Sequence, residues 1–124
     1  MLSKKIVKYI QSLSHKKLRD EEHSFIAEGP KVVSELLLSG LVNCKILCAT
    51  KEWVQENENS LRNVSAENII EIDEGSLQKI SLLKTPNQVL AVFEKRLQNL
   101  LPFIENKISI MLDEIQDPGN LGTI

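Results

Sequence analysis

The unbroken apolar run Ile-Leu-Cys-Ala at residues 46–49 restricts the fold more than any other feature of this chain. A strand with one face in water alternates apolar and polar side chains, so a run without alternation is typical of a strand covered on both faces. Residues 25–27, 68–72 and 89–93 form further short, largely apolar segments, and segments with helical spacing lie between them. Strands that alternate with helices predict βαβ units. We therefore expect an α/β domain with a largely parallel sheet between layers of helices.

Helices are predicted where apolar residues recur every three or four positions. This spacing is clearest near the N-terminus, at Leu2, Ile6, Ile10 and Leu13. A later segment, residues 51–57, is expected to bury Trp53. Three helices are expected to begin at Pro30, at Thr50, and at either Asp73 or Ser76. Gly40 is expected to end the helix that begins at Pro30.

The composition excludes several classes of protein. Apolar residues make up 42% and charged residues 26% of the 124 residues, which is ordinary for a globular domain and argues against a disordered chain. No apolar run approaches the roughly 18 residues that a membrane-spanning helix needs. The lysines near the N-terminus are not followed by an apolar stretch with a small-residue cleavage site, so no secretory signal is expected. These features favour a cytoplasmic α/β domain that does not bind membranes.

The two cysteines, Cys44 and Cys48, are expected to be buried, reduced thiols. Their spacing on a strand would place both on the same face, too far apart to form a disulfide. Free thiols agree with a reducing compartment such as the cytoplasm. A zinc site needs about four ligands, and His15 and His23 lie far from the cysteines in a charged segment. No metal site is therefore predicted.

Charge is distributed unevenly along the chain. Residues 1–19 contain six bases and no acid, whereas residues 20–124 contain nine bases and 17 acids. A basic end on an acidic body indicates a local contact with a polyanion. The alternative interpretation is that these bases only solvate the outer face of a helix.

The end of the chain combines a second apolar segment with a turn. Residues 108–115 are strongly apolar and predict a further strand, and Asp-Pro-Gly-Asn-Leu-Gly follows at 117–122. Ligands of open α/β sheets bind at the carboxyl ends of strands, and the amide of Asn120 would lie at such an end. The alternative is an ordinary strand-to-helix turn with Asn120 as the helix cap.

This terminal sequence, DEIQDPGNLGTI, closely resembles the first motif of the SpoU (TrmH) family of RNA ribose 2′-O-methyltransferases. The upstream pieces HKKLRDEEHSFIAEGPKVVSELL, ILCAT and TPNQVLAVFEK are similar, in the same order, to the N-terminal substrate-binding domain of that family. The resemblance implies an RNA substrate-binding domain over residues 1–96, an α/β/α sandwich shared with kink-turn-binding ribosomal proteins. Residues 97–106 would be a linker. Residues 107–124 would begin a knotted α/β methyltransferase domain whose later motifs are absent from this sequence.

The resemblance also implies an activity, methylation of RNA with S-adenosylmethionine as cofactor. Ribosomal RNA is the expected substrate rather than transfer RNA, and the whole enzyme is expected to be a homodimer. Because the family's cofactor motifs lie beyond this sequence, the chain alone is expected to be inactive. The alternative function is a non-catalytic RNA-binding module of the kink-turn type that ends near residue 96.

Several residues are assigned roles by the same resemblance. Asn120 is the candidate catalytic residue; its amide can hold a ribose or phosphate by hydrogen bonds but does not titrate usefully as a base. Gln88 departs from the family, whose members often have glycine at this position. The candidate RNA-binding residues are Lys16, Lys17, Arg19, Glu28, Lys84 and Thr85.

Overall fold

The computed structural model describes residues 2–96 and 105–123 of the chain. Within these residues the helices and strands are, in chain order, α1 (Lys4–Ser12), α2 (Lys16–Glu21), β1 (Ser24–Glu28), α3 (Pro30–Ser39), β2 (Cys44–Ala49), α4 (Lys51–Glu56), α5 (Glu58–Leu61), β3 (Ile69–Glu71), α6 (Glu74–Ile80), β4 (Val89–Glu94) and α7 (Pro118–Thr123). A short 3₁₀ turn at Ala66–Asn68 precedes β3. No helix that the structure describes has the length and apolar character needed to span a bilayer.

The four strands form one sheet in the order β1-β4-β2-β3. Strand β4 runs antiparallel to both β1 and β2, and only β2 and β3 are parallel. The prediction of a largely parallel sheet is therefore wrong. The apolar runs identify buried strands, but burial does not depend on strand direction. The chain after α6 turns back and enters the sheet between β1 and β2, which the alternation of strands and helices does not encode.

Helices cover both faces of this sheet, as the predicted α/β/α sandwich requires. On one face, α3, α4 and α5 bury their apolar side chains against Leu47, Ala91 and Phe93. On the other face, α1 and α6 pack against Cys48, Leu90 and other residues of the second core. All five residues 89–93 are buried, since β4 is a central strand with a helical layer on each side.

The predicted helix ends are confirmed by the backbone and its hydrogen bonds. The hydroxyl of Thr50 accepts a hydrogen bond from the Trp53 amide at 3.4 Å, and Trp53 is buried as expected. Asp73, not Ser76, caps α6, because its carboxylate accepts a hydrogen bond from the Ser76 amide at 2.6 Å. Gly40 ends α3 in the left-handed conformation. Helix α2 was not predicted, because its short charged sequence carries no apolar spacing.

Cys44 and Cys48 lie on opposite faces of the sheet, which corrects the prediction that they share one. Cys44 pairs with Phe93 and Ile46 pairs with Val92, so Lys45 is an extra residue opposite a shorter stretch of β4. Such a bulge shifts the alternation of side chains by one position. Cys44 consequently packs against the core beneath α3, whereas Cys48 belongs to the core beneath α1 and α6. Both thiols are free, and Cys48 is buried as predicted, whereas Cys44 is only half-buried.

The strand predicted at residues 108–115 is not observed. Residues 107–117 carry no helix or strand, and the side chains of Ile108 and Met111 are each 94% exposed. Apolar residues form a strand only where another strand supplies hydrogen bonds, and no strand in the described part of the chain pairs with them. The predicted linker falls largely outside the described residues, at 97–104.

Candidate nucleic-acid interface

Lys16 and Lys17 lie on α2 with their side chains exposed, as a phosphate contact requires. The ammonium of Lys17 is 3.9 Å from the carboxylate of Glu21 one helical turn later, and both side chains are largely in water. Such an exposed pair contributes little to stability. These two lysines are therefore free to exchange their solvent or ion-pair contacts for a polyanion.

Arg19 has a structural role that the sequence did not reveal. Its guanidinium donates hydrogen bonds to the main-chain carbonyls of Leu13, at 2.9 Å, and Ser14, at 2.8 Å. Carbonyls at the end of a helix lack partners within that helix. Arg19 thus closes the end of α1 and fixes the turn into α2. Its predicted contact with RNA remains a prediction.

Helix α2 is anchored to the end of β4 by Asp20 and Lys95. The Lys95 ammonium lies 2.5 Å from the Asp20 carboxylate, and the Lys95 amide donates to the His23 carbonyl at 2.7 Å. The side-chain hydrogen bond from Lys95 lowers the pKa of Asp20 below its ordinary value of 3.8, and the positive charges of Lys95, Lys16 and Arg19 act in the same direction. The basic segment is therefore held against the sheet at the start of β1.

Glu28, Lys84 and Thr85 belong to the other end of β1. Glu28 is the last residue of that strand, and its carboxylate accepts hydrogen bonds from the Ser81 hydroxyl and, at 2.8 Å, from the Leu82 amide. Among the described residues, no lysine or arginine forms an ion pair with this carboxylate. The bonds bring Glu28 to the segment after α6, residues 81–88, which we call the β4 loop and which exposes Lys84 and Thr85.

The backbone of Gln88 explains why glycine suits this position. Gln88 has a φ of 55°, in the left-handed region that favours glycine. Its carbonyl accepts a hydrogen bond from the Thr50 amide at 2.9 Å, which joins the end of the β4 loop to the start of α4. The loop geometry is thus compatible with glutamine, with a local conformational cost.

The two groups of candidate residues are not brought together. Lys16, Lys17 and Arg19 precede the first residue of β1, whereas Glu28 is its last residue. Strand β1 between them is itself about 14 Å long, at 3.4 Å per residue over the four steps from Ser24 to Glu28. A ligand that touches both groups must therefore extend along the edge strand of the sheet.

A separate cavity of about 570 Å³ lies at the carboxyl ends of the parallel strands β2 and β3. Its lining includes Glu52, Glu71, Asp73 and Glu74. The hydrogen bond from the Ser76 amide lowers the pKa of Asp73 below 3.8, so this carboxylate is charged at neutral pH. Because an acidic lining repels phosphates, this cavity does not suit RNA. No sequence motif indicated it.

Asn120 lies in the first turn of the short helix α7 and is exposed. The carboxylate of Asp117, just before the helix, accepts a hydrogen bond from the Gly119 amide at 2.8 Å. Asp117 therefore occupies the capping position, and the alternative interpretation of Asn120 as the cap is wrong. The catalytic role of Asn120 remains a prediction. In the described ranges, no cluster of three or more His, Cys, Asp and Glu side chains is arranged to hold a metal ion.

Residues 4–91 match the sequence model of the MRM3-like substrate binding domain. The chain belongs to this family, which confirms the relationship that the terminal motif and the upstream pieces indicated.

Relatives with assigned names resemble the chain over nearly its whole length. It is 28% identical over 128 aligned residues to rRNA methyltransferase 3, mitochondrial, of Xenopus laevis. This alignment covers 98% of this chain and 30% of that protein. It is 27% identical over 118 residues to the human protein of the same name, covering 86% of this chain and 26% of that protein. The chain thus spans less than a third of the length of these relatives.

Solved structures give the same result for the fold. A putative RNA methyltransferase of the TrmH family from Porphyromonas gingivalis matches with a TM-score of 0.68 and 28% identity, over 99% of this chain and 46% of that one. An rRNA methyltransferase from Sinorhizobium meliloti matches with a TM-score of 0.61 and 29% identity, over 79% of this chain and 36% of that one. The predicted α/β/α fold class is confirmed.

Proposed function

We propose that this chain is the RNA-binding part of an S-adenosylmethionine-dependent RNA 2′-O-ribose methyltransferase that acts on ribosomal RNA. The observation that carries the proposal is the match of residues 4–91 to a family of substrate-binding domains. The names of the relatives, rRNA methyltransferase 3, support ribosomal RNA as the substrate. One matching structure is described as an AdoMet-bound rRNA methyltransferase, which supports the cofactor.

The proposed roles of the three parts of the chain follow the domain boundaries expected from the sequence. Residues 1–96 bind RNA, residues 97–106 are a linker and residues 107–124 begin the catalytic domain. The family match at 4–91 lies within the first of these parts, which supports the division. The residues of α7 are exposed on all sides, so they do not by themselves form a cofactor site.

The contribution of the described residues to such an enzyme is to hold the RNA in place. Lys16 and Lys17 supply the sequence-independent attraction to phosphates. Lys84 and Thr85, in the β4 loop that is joined to the other end of β1, offer a second contact. Two contacts along one edge orient a substrate better than one, and orientation can supply a large part of catalytic acceleration.

The whole enzyme is proposed to be a homodimer in the cytoplasm. The two free thiols support a reducing compartment. The mitochondrial location given in the names of the relatives describes those proteins.

A non-catalytic RNA-binding module is the second candidate function. It is favoured by the distribution of buried residues, all of which lie within residues 2–96 among the described parts of the chain. Transfer of a labelled methyl group from S-adenosylmethionine to ribosomal RNA by the full-length protein would support the enzyme. Full-length protein that binds RNA without methylating it would support the module.

The salt dependence of RNA binding tests the proposed interface. We expect a Lys16→Gln, Lys17→Gln variant to bind an rRNA fragment more weakly, with the slope of log affinity against log salt reduced by about 0.7–0.9 per lost contact. The control is Lys51→Gln, Arg62→Gln, which removes the same charge from exposed positions at α4 and α5. Equal slopes for the two variants would contradict a phosphate contact at α2.

A further inference from the structure

Both oxygens of the Glu28 carboxylate accept hydrogen bonds from within the protein. One oxygen accepts a hydrogen bond from the Leu82 amide at 2.8 Å, and the other accepts one from the Ser81 hydroxyl. Hydrogen bonds to a charged group are stronger than those between neutral groups. These bonds connect residues more than 50 positions apart in the sequence, the end of β1 and the start of the β4 loop.

The same hydrogen bonds extend into the β4 loop. The Ser81 hydroxyl, which donates to Glu28, accepts a hydrogen bond from the Leu83 amide at 3.0 Å. At the far end of the loop, the Gln88 carbonyl accepts from the Thr50 amide at 2.9 Å. The loop is therefore attached to the body at both ends, while Lys84 and Thr85 between them remain exposed.

A carboxylate beside a surface that binds RNA has an electrostatic cost, because it repels phosphates. Each oxygen of Glu28 accepts one hydrogen bond from the β4 loop. These two bonds account for the position of Glu28 without a contact with RNA.

We propose that Glu28 is a positioning residue that holds the β4 loop in the conformation in which Lys84 and Thr85 meet the RNA. This inference rests on the proposed function of the chain as an RNA-binding domain. Ser81 is then also a positioning residue, because its hydroxyl donates a hydrogen bond to the Glu28 carboxylate and accepts one from the Leu83 amide.

Variants of the two partners test the proposal. We expect Glu28→Ala and Ser81→Ala each to weaken binding of an rRNA fragment, by about fivefold to tenfold for Glu28→Ala. The double variant should bind within about twofold of Glu28→Ala, since both changes remove one network. Amide hydrogen exchange at Leu82 and Leu83 should accelerate in both single variants.

Two further variants separate positioning from charge and from misfolding. Glu28→Gln should recover most of the affinity, because the carboxamide oxygen accepts from the Leu82 amide and its NH₂ group can donate to the Ser81 hydroxyl. Glu35→Ala is the matched control: Glu35 is an exposed carboxylate on α3 that lines the same cavity of about 430 Å³ as Glu28. It should bind RNA as tightly as the unmodified chain, or more tightly.

The outcomes distinguish this inference from the proposed function. An unmodified chain with no affinity for RNA overturns the proposed function and the inference with it. If the unmodified chain binds and Glu28→Ala binds equally well, the inference alone is overturned. It is also overturned if Glu28→Ala weakens binding while Ser81→Ala and the exchange rates at Leu82 and Leu83 do not change, because Glu28 would then contact RNA directly.

Discussion

The guanidinium of Arg19 lies 2.9 Å from the main-chain carbonyl oxygen of Leu13, six residues earlier in the chain. The arginine therefore completes the hydrogen bonding at the end of α1, although the sequence groups it with two exposed lysines. A variant that changes all three bases together would combine a loss of folding stability with a loss of RNA contacts.

Replacing Arg19 should reduce stability, and replacing a neighbouring lysine should not. We expect Arg19→Ala to lower the free energy of unfolding by about 1–2 kcal/mol, because two carbonyls lose a charged donor. Lys17→Ala is the control and should change it by less than about 0.5 kcal/mol, since its ion pair with Glu21 is exposed. Urea denaturation followed by circular dichroism measures both values. Equal effects of the two substitutions would contradict the capping role of Arg19.

Gln88→Gly is expected to increase stability or leave it unchanged. Glycine removes the cost of a left-handed backbone, about 1–2 kcal/mol, and adds a backbone entropy cost of about 0.5–1 kcal/mol. The net change in the free energy of unfolding should therefore lie between no change and a gain of about 1.5 kcal/mol. The same substitution at Gln78, exposed in α6, should instead cost about 1 kcal/mol. Similar losses at both positions in chemical denaturation would show that Gln88 does not adopt a positive φ.

The thiols should resist alkylation in the folded chain. Burial raises the pKa of Cys44 from 9.0 to about 11 and that of Cys48 from 9.0 to about 12. Because the thiolate is the reactive species, we expect iodoacetamide at pH 8 to modify both thiols much more slowly in the native chain than in urea. Mass spectrometry of timed samples measures these rates, and similar rates in the two conditions would contradict burial of the thiols.

The same pKa shifts predict a loss of stability in alkaline solution. The unfolded thiols ionise near pH 9, whereas the folded thiols stay protonated until about pH 11–12. Their contribution to stability is therefore complete below pH 9 and is lost as the pH rises from 9 through the folded values. The Cys44→Ala, Cys48→Ala variant should lose less stability between pH 8 and pH 10.5 than the unmodified chain. Parallel losses would show that the thiols contribute nothing to the loss of stability.

Shortening the chain should leave its stability unchanged if the end of the chain contributes no packing. All residues from 105 to 123 are exposed, so a chain that ends at residue 104 should unfold with a free energy within about 0.5 kcal/mol of the full chain. A chain that ends at residue 88 is the control, because it lacks β4 from between β1 and β2 and should not unfold cooperatively. A loss above about 1 kcal/mol on removal of residues 105–124 would show that they pack against the sandwich.

Local features of the structure could be predicted from the sequence. Thr50, Asp73 and Gly40 end or begin helices through contacts within three residues or through their own backbone preferences. The run at residues 46–49 predicted a strand covered on both faces, and Leu47, Cys48 and Ala49 are buried. Such features depend on neighbouring residues, so a short stretch of sequence contains the information.

The candidate site could be predicted only in part, because its contacts join distant segments. The resemblance to a known family placed Glu28 in the site, but nothing near Glu28 in the sequence indicates that Ser81 and Leu82 donate to it. The sequence likewise does not indicate the capping role of Arg19, because a charged segment gives no sign of which base donates to a carbonyl six residues away.

The sequence by itself determined the positions of most helices and of the four strands of the sheet, because apolar spacing and capping residues act over one or two turns; the short charged helix α2 lacks such spacing. The tertiary structure alone decided that β4 runs antiparallel between β1 and β2, and that Lys45 forms a bulge which sends Cys44 and Cys48 to opposite faces. Strand direction and register depend on hydrogen bonds between segments that are far apart in the chain. The apolar residues at 108–115 show the same dependence, because they form no strand where the described chain supplies no neighbouring strand to pair with them.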